Sequence, residues 1–247
     1  MSGFPYTLSN DPRPRLGLIV LQADETIEDD FHRLFDPTKV SISVTRIPSG
    51  AEVTPDTLRA MELALPHAAG LFPEAARFNV IGYACTSGTT LIGSNRVEAL
   101  VKGAVQTRAV TNPLAATFQA IEALGLKRVG IVSPYLPSIV SDLSAAFEAV
   151  GITVPDTVSF GEEVEANVAR IAPTSTIEAA RDLAERTSLD GLFLSCTNLR
   201  THDILAPLEA ELGLPVLSSN QTLAWHMAHL AGMPSPEGLA RLGQTVP

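Results

Sequence analysis

The feature that most constrains this chain is that its second half repeats its first. Strand-like apolar runs alternate with helical stretches throughout, and three landmarks recur in the same order. Arg15-Leu-Gly-Leu-Ile-Val20 returns as Lys127-Arg-Val-Gly-Ile-Val-Ser133. Gly82-Tyr-Ala-Cys-Thr86 returns as Leu192-Phe-Leu-Ser-Cys-Thr197. Arg108-Ala-Val-Thr-Asn112 returns as Leu214-Pro-Val-Leu-Ser-Ser-Asn220. Gly17 lies 68 residues before Cys85, and Gly130 lies 66 before Cys196; the steps on to Asn112 and Asn220 are 27 and 24. Short continuous apolar runs suit strands buried on both faces of a parallel sheet, and their alternation with helices is the βαβ pattern. The expected fold class is therefore α/β, with two pseudo-twofold-related lobes, each a parallel β-sheet flanked by helices. Residues 1–115 with 216–247 would form an N-terminal lobe, and 116–215 a C-terminal lobe. No Gly/Ser linker divides them, so tight docking is expected.

Strands are expected at Arg15–Leu21, Val40–Ile47, Phe78–Ala84, Ala109–Thr111, Lys127–Ser133, Thr153–Val158 and Gly191–Ser195. Helices are expected at 26–35, 57–71, 95–103, 114–124, 136–150, 177–186 and 221–231. Gly125 and Gly151 supply C-cap signals for two of them. The last helix is expected to pack back on the first lobe.

Charge and thiol content narrow the function classes. The net charge is −10, with no Lys/Arg-rich block. Nucleic acid and anionic membranes need clustered positive charge, so neither is an expected partner. No apolar run reaches the roughly 18 residues of a membrane span, and Met1–Pro14 lacks the pattern of a signal peptide. A cytoplasmic location follows as the expectation, where two thiols stay reduced. There is no Cys-x-x-Cys, and His226 and His229 read as helix-surface residues, so no metal site is expected.

The chain has two cysteines, Cys85 and Cys196, each at the end of an apolar run and just before Thr. Ligands of open parallel sheets bind beyond the carboxyl ends of the strands. If the lobes face each other, the two thiols flank one cleft. Thr86, Ser87, Thr89, Thr90, Thr197 and Asn198 surround them with hydroxyls, an amide and backbone N–H groups that suit a carboxylate. Two such thiols can exchange a proton on opposite faces of a carbon, or one can add to a double bond while the other acts as acid. A buried, inert role for each cysteine is the structural alternative.

Ala84-Cys-Thr-Ser-Gly-Thr89 and Ser195-Cys-Thr-Asn198, in a two-lobed chain of this length, resemble the Asp/Glu racemase superfamily. The resemblance is to its maleate cis-trans isomerase and arylmalonate decarboxylase branch. It implies cofactor-independent, metal-independent chemistry beside a carboxylate, and a homo-oligomer, dimeric or larger. It implies Cys85 and Cys196 as the reacting pair, and Tyr135 and Asn167 as substrate contacts beside Thr86, Ser87, Thr197 and Asn198. The branch's decarboxylases lack the first-lobe cysteine, so two cysteines favour isomerisation or racemisation. Decarboxylation and non-catalytic small-molecule binding are the alternatives.

One departure stands out. Maleate isomerases carry Pro-Ser-Ser-Asn-Thr-Thr after the first strand, and here Leu21-Gln-Ala-Asp-Glu-Thr-Ile-Glu28 puts Asp24 at the Asn position. A carboxylate there repels a dicarboxylate substrate and accepts hydrogen bonds from an ammonium or amide N–H. This string also resembles racemase-like proteins of ectoine utilisation, whose presumed substrates are chiral amino acids. Asp24 is equally a good N-cap for the helix expected to follow.

Overall fold

A computed structural model describes residues 3–50 and 54–246. Met1 and Ser2, where the N-terminal reading begins, lie outside the described residues. The elements run β1 (Arg15–Leu21), α1 (Ile27–Leu34), β2 (Ser41–Ile47), α2 (Pro55–Gly70), β3 (Phe78–Ala84), α3 (Thr86–Ile92), α4 (Ser94–Ala104), β4 (Thr107–Thr111) and α5 (Pro113–Ala123). The second set is β5 (Val129–Ser133), α6 (Pro137–Glu148), β6 (Thr157–Ser159), α7 (Glu165–Val168), α8 (Pro173–Arg186), β7 (Gly191–Leu194), α9 (His202–Leu212), β8 (Val216–Ser218) and α10 (Ser219–Leu230).

The repeat is real in three dimensions. One sheet has the order β2-β1-β3-β4 and the other β6-β5-β7-β8. All pairings are parallel. In both sheets the chain reverses direction of winding at the second strand, so a crevice opens at the carboxyl ends of β1 and β3, and again at those of β5 and β7.

Alternation along β1 explains how the layers are filled. Leu16, Leu18 and Val20 face a core that holds Leu223, Trp225 and Met227 of α10. Ile19 and Leu21 face the opposite core with Met61 and Leu65 of α2 and Val101 of α4. The first core continues into the second lobe through Ile131, Phe147 and Phe193, so one apolar cluster spans both lobes. Phe118 of α5 meets Phe147 of α6 edge-on at 5.1 Å, a favourable arrangement of ring quadrupoles. Phe147 is fully buried, which contributes about 1.5–3 kcal/mol, while Phe118 is half-buried.

Helix α10 is buried on nearly every face because it lies between β3 and α5, and its polar first turn, Ser219 to Thr222, is buried with the rest. Its approach to the sheet is close: a Cβ at Gly82 would sit 2.6 Å from Met227 Sδ. Two expectations need correction. The strand expected at Thr153–Val158 forms only over Thr157–Ser159, with a single bridge at Thr153, because Pro155 offers no N–H and constrains Val154. His226 is not a surface residue; it is half-buried and hydrogen-bonds Thr111 Oγ1 through Nδ1 at 2.8 Å, and burial lowers its pKa to about 4. Among the described residues no helix is long and apolar enough to cross a membrane.

Candidate active site

The first thiol is set by a helix start. β3 ends at Ala84, and Cys85 follows in extended conformation as the N-cap of α3. Its Sγ takes the place of a capping oxygen and accepts from the Gly88 N–H at 3.2 Å. Gly88 has to be glycine for this to fit, since a Cβ there would lie 2.8 Å from Cys85 Sγ and 2.8 Å from Tyr83 Oη. Burial pushes the Cys85 thiol up to about 12; the Gly88 N–H opposes this, and the Glu165 carboxylate adds to it.

The second thiol is set by strain. Cys196, just past β7, has φ +126°, a region that non-glycine residues avoid at a cost of about 1–3 kcal/mol. Its N–H donates to Ser219 Oγ at 3.0 Å, and that oxygen bonds Thr86 Oγ1 at 2.8 Å. The Thr197 hydroxyl donates to the Ala84 carbonyl at 3.4 Å. The two cysteine loops are thus tied directly to each other across the lobes. Cys196 Sγ accepts from the Asn198 N–H at 3.3 Å and lies 2.8 Å from Tyr135 Oη. Burial raises its pKa well above the ordinary thiol value, with Glu165 adding to the effect. Both cysteines are free thiols and both are 2% exposed. Burial therefore favours the neutral thiol at both positions.

The structure brings together Cys85, Cys196, Asp24, Thr86, Ser87, Tyr135, Thr197 and Asn198. Ser87 Oγ lies 3.9 Å from Cys85 Sγ. Tyr135, at the end of β5, is buried, and both thiols act on its phenol, whose pKa is raised well above normal by burial and then by Cys196. Asp24 serves the start of α1 with one of its two carboxyl oxygens. Its Oδ1 accepts from the N–H groups of Thr26 and Ile27 at 2.8 and 3.0 Å, capping α1. Its Oδ2 is buried with no hydrogen-bond partner of good geometry, although the Thr197 hydroxyl, committed to Ala84, lies close enough to ease its charge. Burial raises the Asp24 pKa.

Asn167 does not join this group. It is exposed on the outer side of α7 and donates to Glu162 Oε2 at 3.2 Å. Glu165 turns inward instead, with Val168 three residues on, as helical spacing dictates. Glu165 Oε1 accepts from Tyr135 Oη at 3.1 Å and Oε2 from Asn198 Nδ2 at 3.3 Å. It is 4% exposed, and burial raises its pKa. Sequence reasoning missed it because three glutamates crowd Glu162–Glu165; the Glu165/Val168 spacing was the available signal.

A cavity of about 330 Å³ lined by Thr26, Asp30, Arg33, Arg200, Thr201 and Asp203 adjoins the group, with Thr26 Oγ1 donating to the Asn198 carbonyl at 3.0 Å. A larger one, about 740 Å³, lies at the amino ends of β3 and β4, beside Phe78 and Thr107. Its size does not outweigh its position, since sheets of this kind bind ligands at the carboxyl ends of their strands.

Residues 93–242 match the family described as arylmalonate decarboxylase. The chain belongs to that family. Within it are relatives of two activities. Maleate isomerase of Nocardia farcinica is 27% identical, the match covering 89% of this chain and 91% of that one. Arylmalonate decarboxylase of Bordetella bronchiseptica is 26% identical over the same shares. Among solved structures, a cysteine-to-serine variant of the Nocardia farcinica maleate cis-trans isomerase is 27% identical with a TM-score of 0.82. The match covers 93% of this chain and 98% of that one, and that protein holds a covalently bound succinylcysteine intermediate.

Proposed function

We propose that this protein is a cofactor-independent isomerase of small carboxylates, with Cys85 and Cys196 as the two reacting thiols. The observation that carries the reading is their convergence. Each lobe delivers one thiol from the end of its third strand, and Tyr135 and Glu165 lie within electrostatic reach of both. Family relatives support it, since a maleate isomerase of the same fold forms a covalent cysteine adduct.

Two routes fit. In the first, one thiolate forms a C–S bond to an alkene carbon, and the π electrons move towards the adjacent carboxylate. The former double bond rotates as a single bond, and expulsion of the thiolate restores the alkene. In the second, one thiolate takes the proton from a carbon next to the carboxylate and the other thiol returns one to the opposite face. Both need one thiolate, so substrate binding must offset the burial that keeps the thiols neutral. Tyr135, Asn198 and Ser87 are the neutral donors placed to hold the substrate.

The test is turnover of maleate and of aspartate, glutamate and diaminobutyrate enantiomers by Cys85→Ala and Cys196→Ala. Both variants should lose activity while keeping the wild-type circular dichroism; full activity in Cys85→Ala would end the reading. Deuterium entering Cα marks the proton-exchange route, and a mass adduct on one cysteine marks the addition route. Decarboxylation is the second reading, favoured by the family match, and CO₂ release from a disubstituted malonate would establish it. The same proposal includes a cytoplasmic homodimer or larger assembly, measurable by light scattering. It also includes lobes of 1–115 with 216–247 and of 116–215, supported by the packing of α10 on α5 and β3.

A further inference from the structure

Beside Cys85 lies a buried hydroxyl with no strong partner. Tyr83 of β3 is fully buried and stands two residues before Cys85, so the strand puts both side chains on the face that packs against α2. The chain turns tightly between them, the Cys85 N–H donating to the Tyr83 carbonyl at 3.1 Å. Both side chains close on Gly88, where a Cβ would lie 2.8 Å from Tyr83 Oη and 2.8 Å from Cys85 Sγ. Hydroxyl and thiol thus crowd one point, within reach of each other's proton. Among the described residues the Tyr83 hydroxyl donates to Met61 Sδ at 3.8 Å, and a thioether is a weak acceptor. A buried tyrosine hydroxyl normally finds a stronger partner, and one without it calls for a function. Packing supplies no reason for the hydroxyl, since phenylalanine would fill the same space beside Ile19, Met61 and Leu65.

We propose that Tyr83 is a catalytic residue: its hydroxyl rests on Met61 Sδ while Cys85 is a thiol, and donates to Cys85 Sγ when Cys85 becomes the thiolate. This rests on the two-thiol isomerase reading and adds a residue to its machinery. The change needs only rotation of one hydrogen about the phenolic C–O bond, with the ring held still by the core. A thiolate outcompetes a thioether as acceptor because the bond to it is charge-assisted. The Gly88 N–H already faces Sγ at 3.2 Å and the Ser87 hydroxyl lies 3.9 Å away, so Tyr83 completes a set of three donors. No proton passes through the phenol, whose pKa is held well above 10 by burial and then by Cys85. The other lobe assembles the same parts from different places. Cys196 Sγ has the Asn198 N–H at 3.3 Å and the Tyr135 hydroxyl at 2.8 Å. Leu194 holds the place before Cys196 that Tyr83 holds before Cys85, and Gln22, five residues after Gly17, stands where Tyr135 stands after Gly130. The phenol comes from a different strand in each lobe, yet each thiol has one. Tyr135 gives its hydrogen to Glu165 Oε1 at 3.1 Å, whereas among the described residues no carboxylate takes that of Tyr83.

Tyr83→Phe removes the hydroxyl and nothing else, so it should melt no lower than the wild type. Alkylation by iodoacetamide at pH 8, followed at each cysteine by mass spectrometry, reads thiolate availability without any substrate. Losing the donor raises the Cys85 pKa by about one, and the greater nucleophilicity of a more basic thiolate restores about half of the logarithmic change, so Cys85 should react about threefold more slowly. Cys196 should react at the wild-type rate. Met61→Leu alters the packing at the same point but keeps the phenol, and should not slow Cys85. On whichever substrate the wild type converts, kcat of Tyr83→Phe should fall about tenfold. An unchanged Cys85 rate in Tyr83→Phe overturns the proposal, as does equal slowing of both cysteines or the same slowing in Met61→Leu. So does a wild-type kcat in Tyr83→Phe. Full activity in Cys85→Ala would remove the isomerase reading instead, while the alkylation rates would still decide whether Tyr83 serves the thiolate.

Discussion

Replacing Gly88 by Ala separates the chemistry of Cys85 from the stability of the fold. The new Cβ would lie 2.8 Å from Cys85 Sγ, 2.8 Å from Tyr83 Oη and 3.2 Å from Met61 Cε, where ordinary contacts are 3.4–4 Å. The thiol therefore has to move by about 1 Å, and misplacement on that scale costs about 100-fold in rate. Stability changes far less. Overpacking costs about 1–3 kcal/mol, and exchanging a mid-helix glycine for alanine returns up to about 1 kcal/mol. The net loss, at most about 3 kcal/mol, lowers Tm by less than about 12 °C for a chain of this size. Gly103→Ala in α4 is the control, because its Cβ meets nothing within 4 Å; it should keep wild-type activity and melt no lower. The assay is kcat on whichever substrate the wild type converts, beside a thermal melt. A Gly88→Ala variant with wild-type kcat would refute the placement of Cys85 at the reacting centre.

Two further predictions concern protons. Burial raises the pKa of Asp30 from 3.8 to about 6, against the Asn220 amide that donates to it at 2.8 Å. The stability this group allows is present below pH 3.8 and lost as pH rises through 6, so at pH 8 the charged form costs about 3 kcal/mol. Asp30→Asn should raise the urea midpoint more at pH 8 than at pH 5, and an equal shift at both would refute it. Cys85 moves from 9.0 to about 12, again upward, so its contribution is intact below pH 9 and falls by about 1.4 kcal/mol per pH unit between 9 and 12. Wild-type stability should fall more steeply than that of Cys85→Ala between pH 8 and pH 11, and parallel curves would sink the claim.

The parts legible in the sequence are those whose burial follows from local pattern. β1 and β3 are found at their expected bounds because strands covered on both faces read as unbroken apolar runs. The cysteines were legible because the repeat placed them at equivalent strand ends. Helix α9 was not foreseen; Pro207 lies inside it, and helix-period reasoning treats an internal proline as a stop. Glu165 was hidden for a different reason. Nothing local distinguishes it from Glu162 and Glu163, and its burial comes from Tyr135 and Asn198, 30 and 33 residues away. The misplaced expectation for Asn167 has the same origin, since two residues along a helix turn a side chain to the other face.

The duplication also holds the two thiols more firmly than the groups around them. The thiols sit at the ends of β3 and β7, strands paired on both sides within each sheet. The Thr86–Ser219–Cys196 chain of hydrogen bonds then locks the two loops to each other. A substitution there disturbs both lobes at once. Asp24 and Glu165 sit instead in the segments after β1 and β6, where the backbone carries the position and the side chain reaches in.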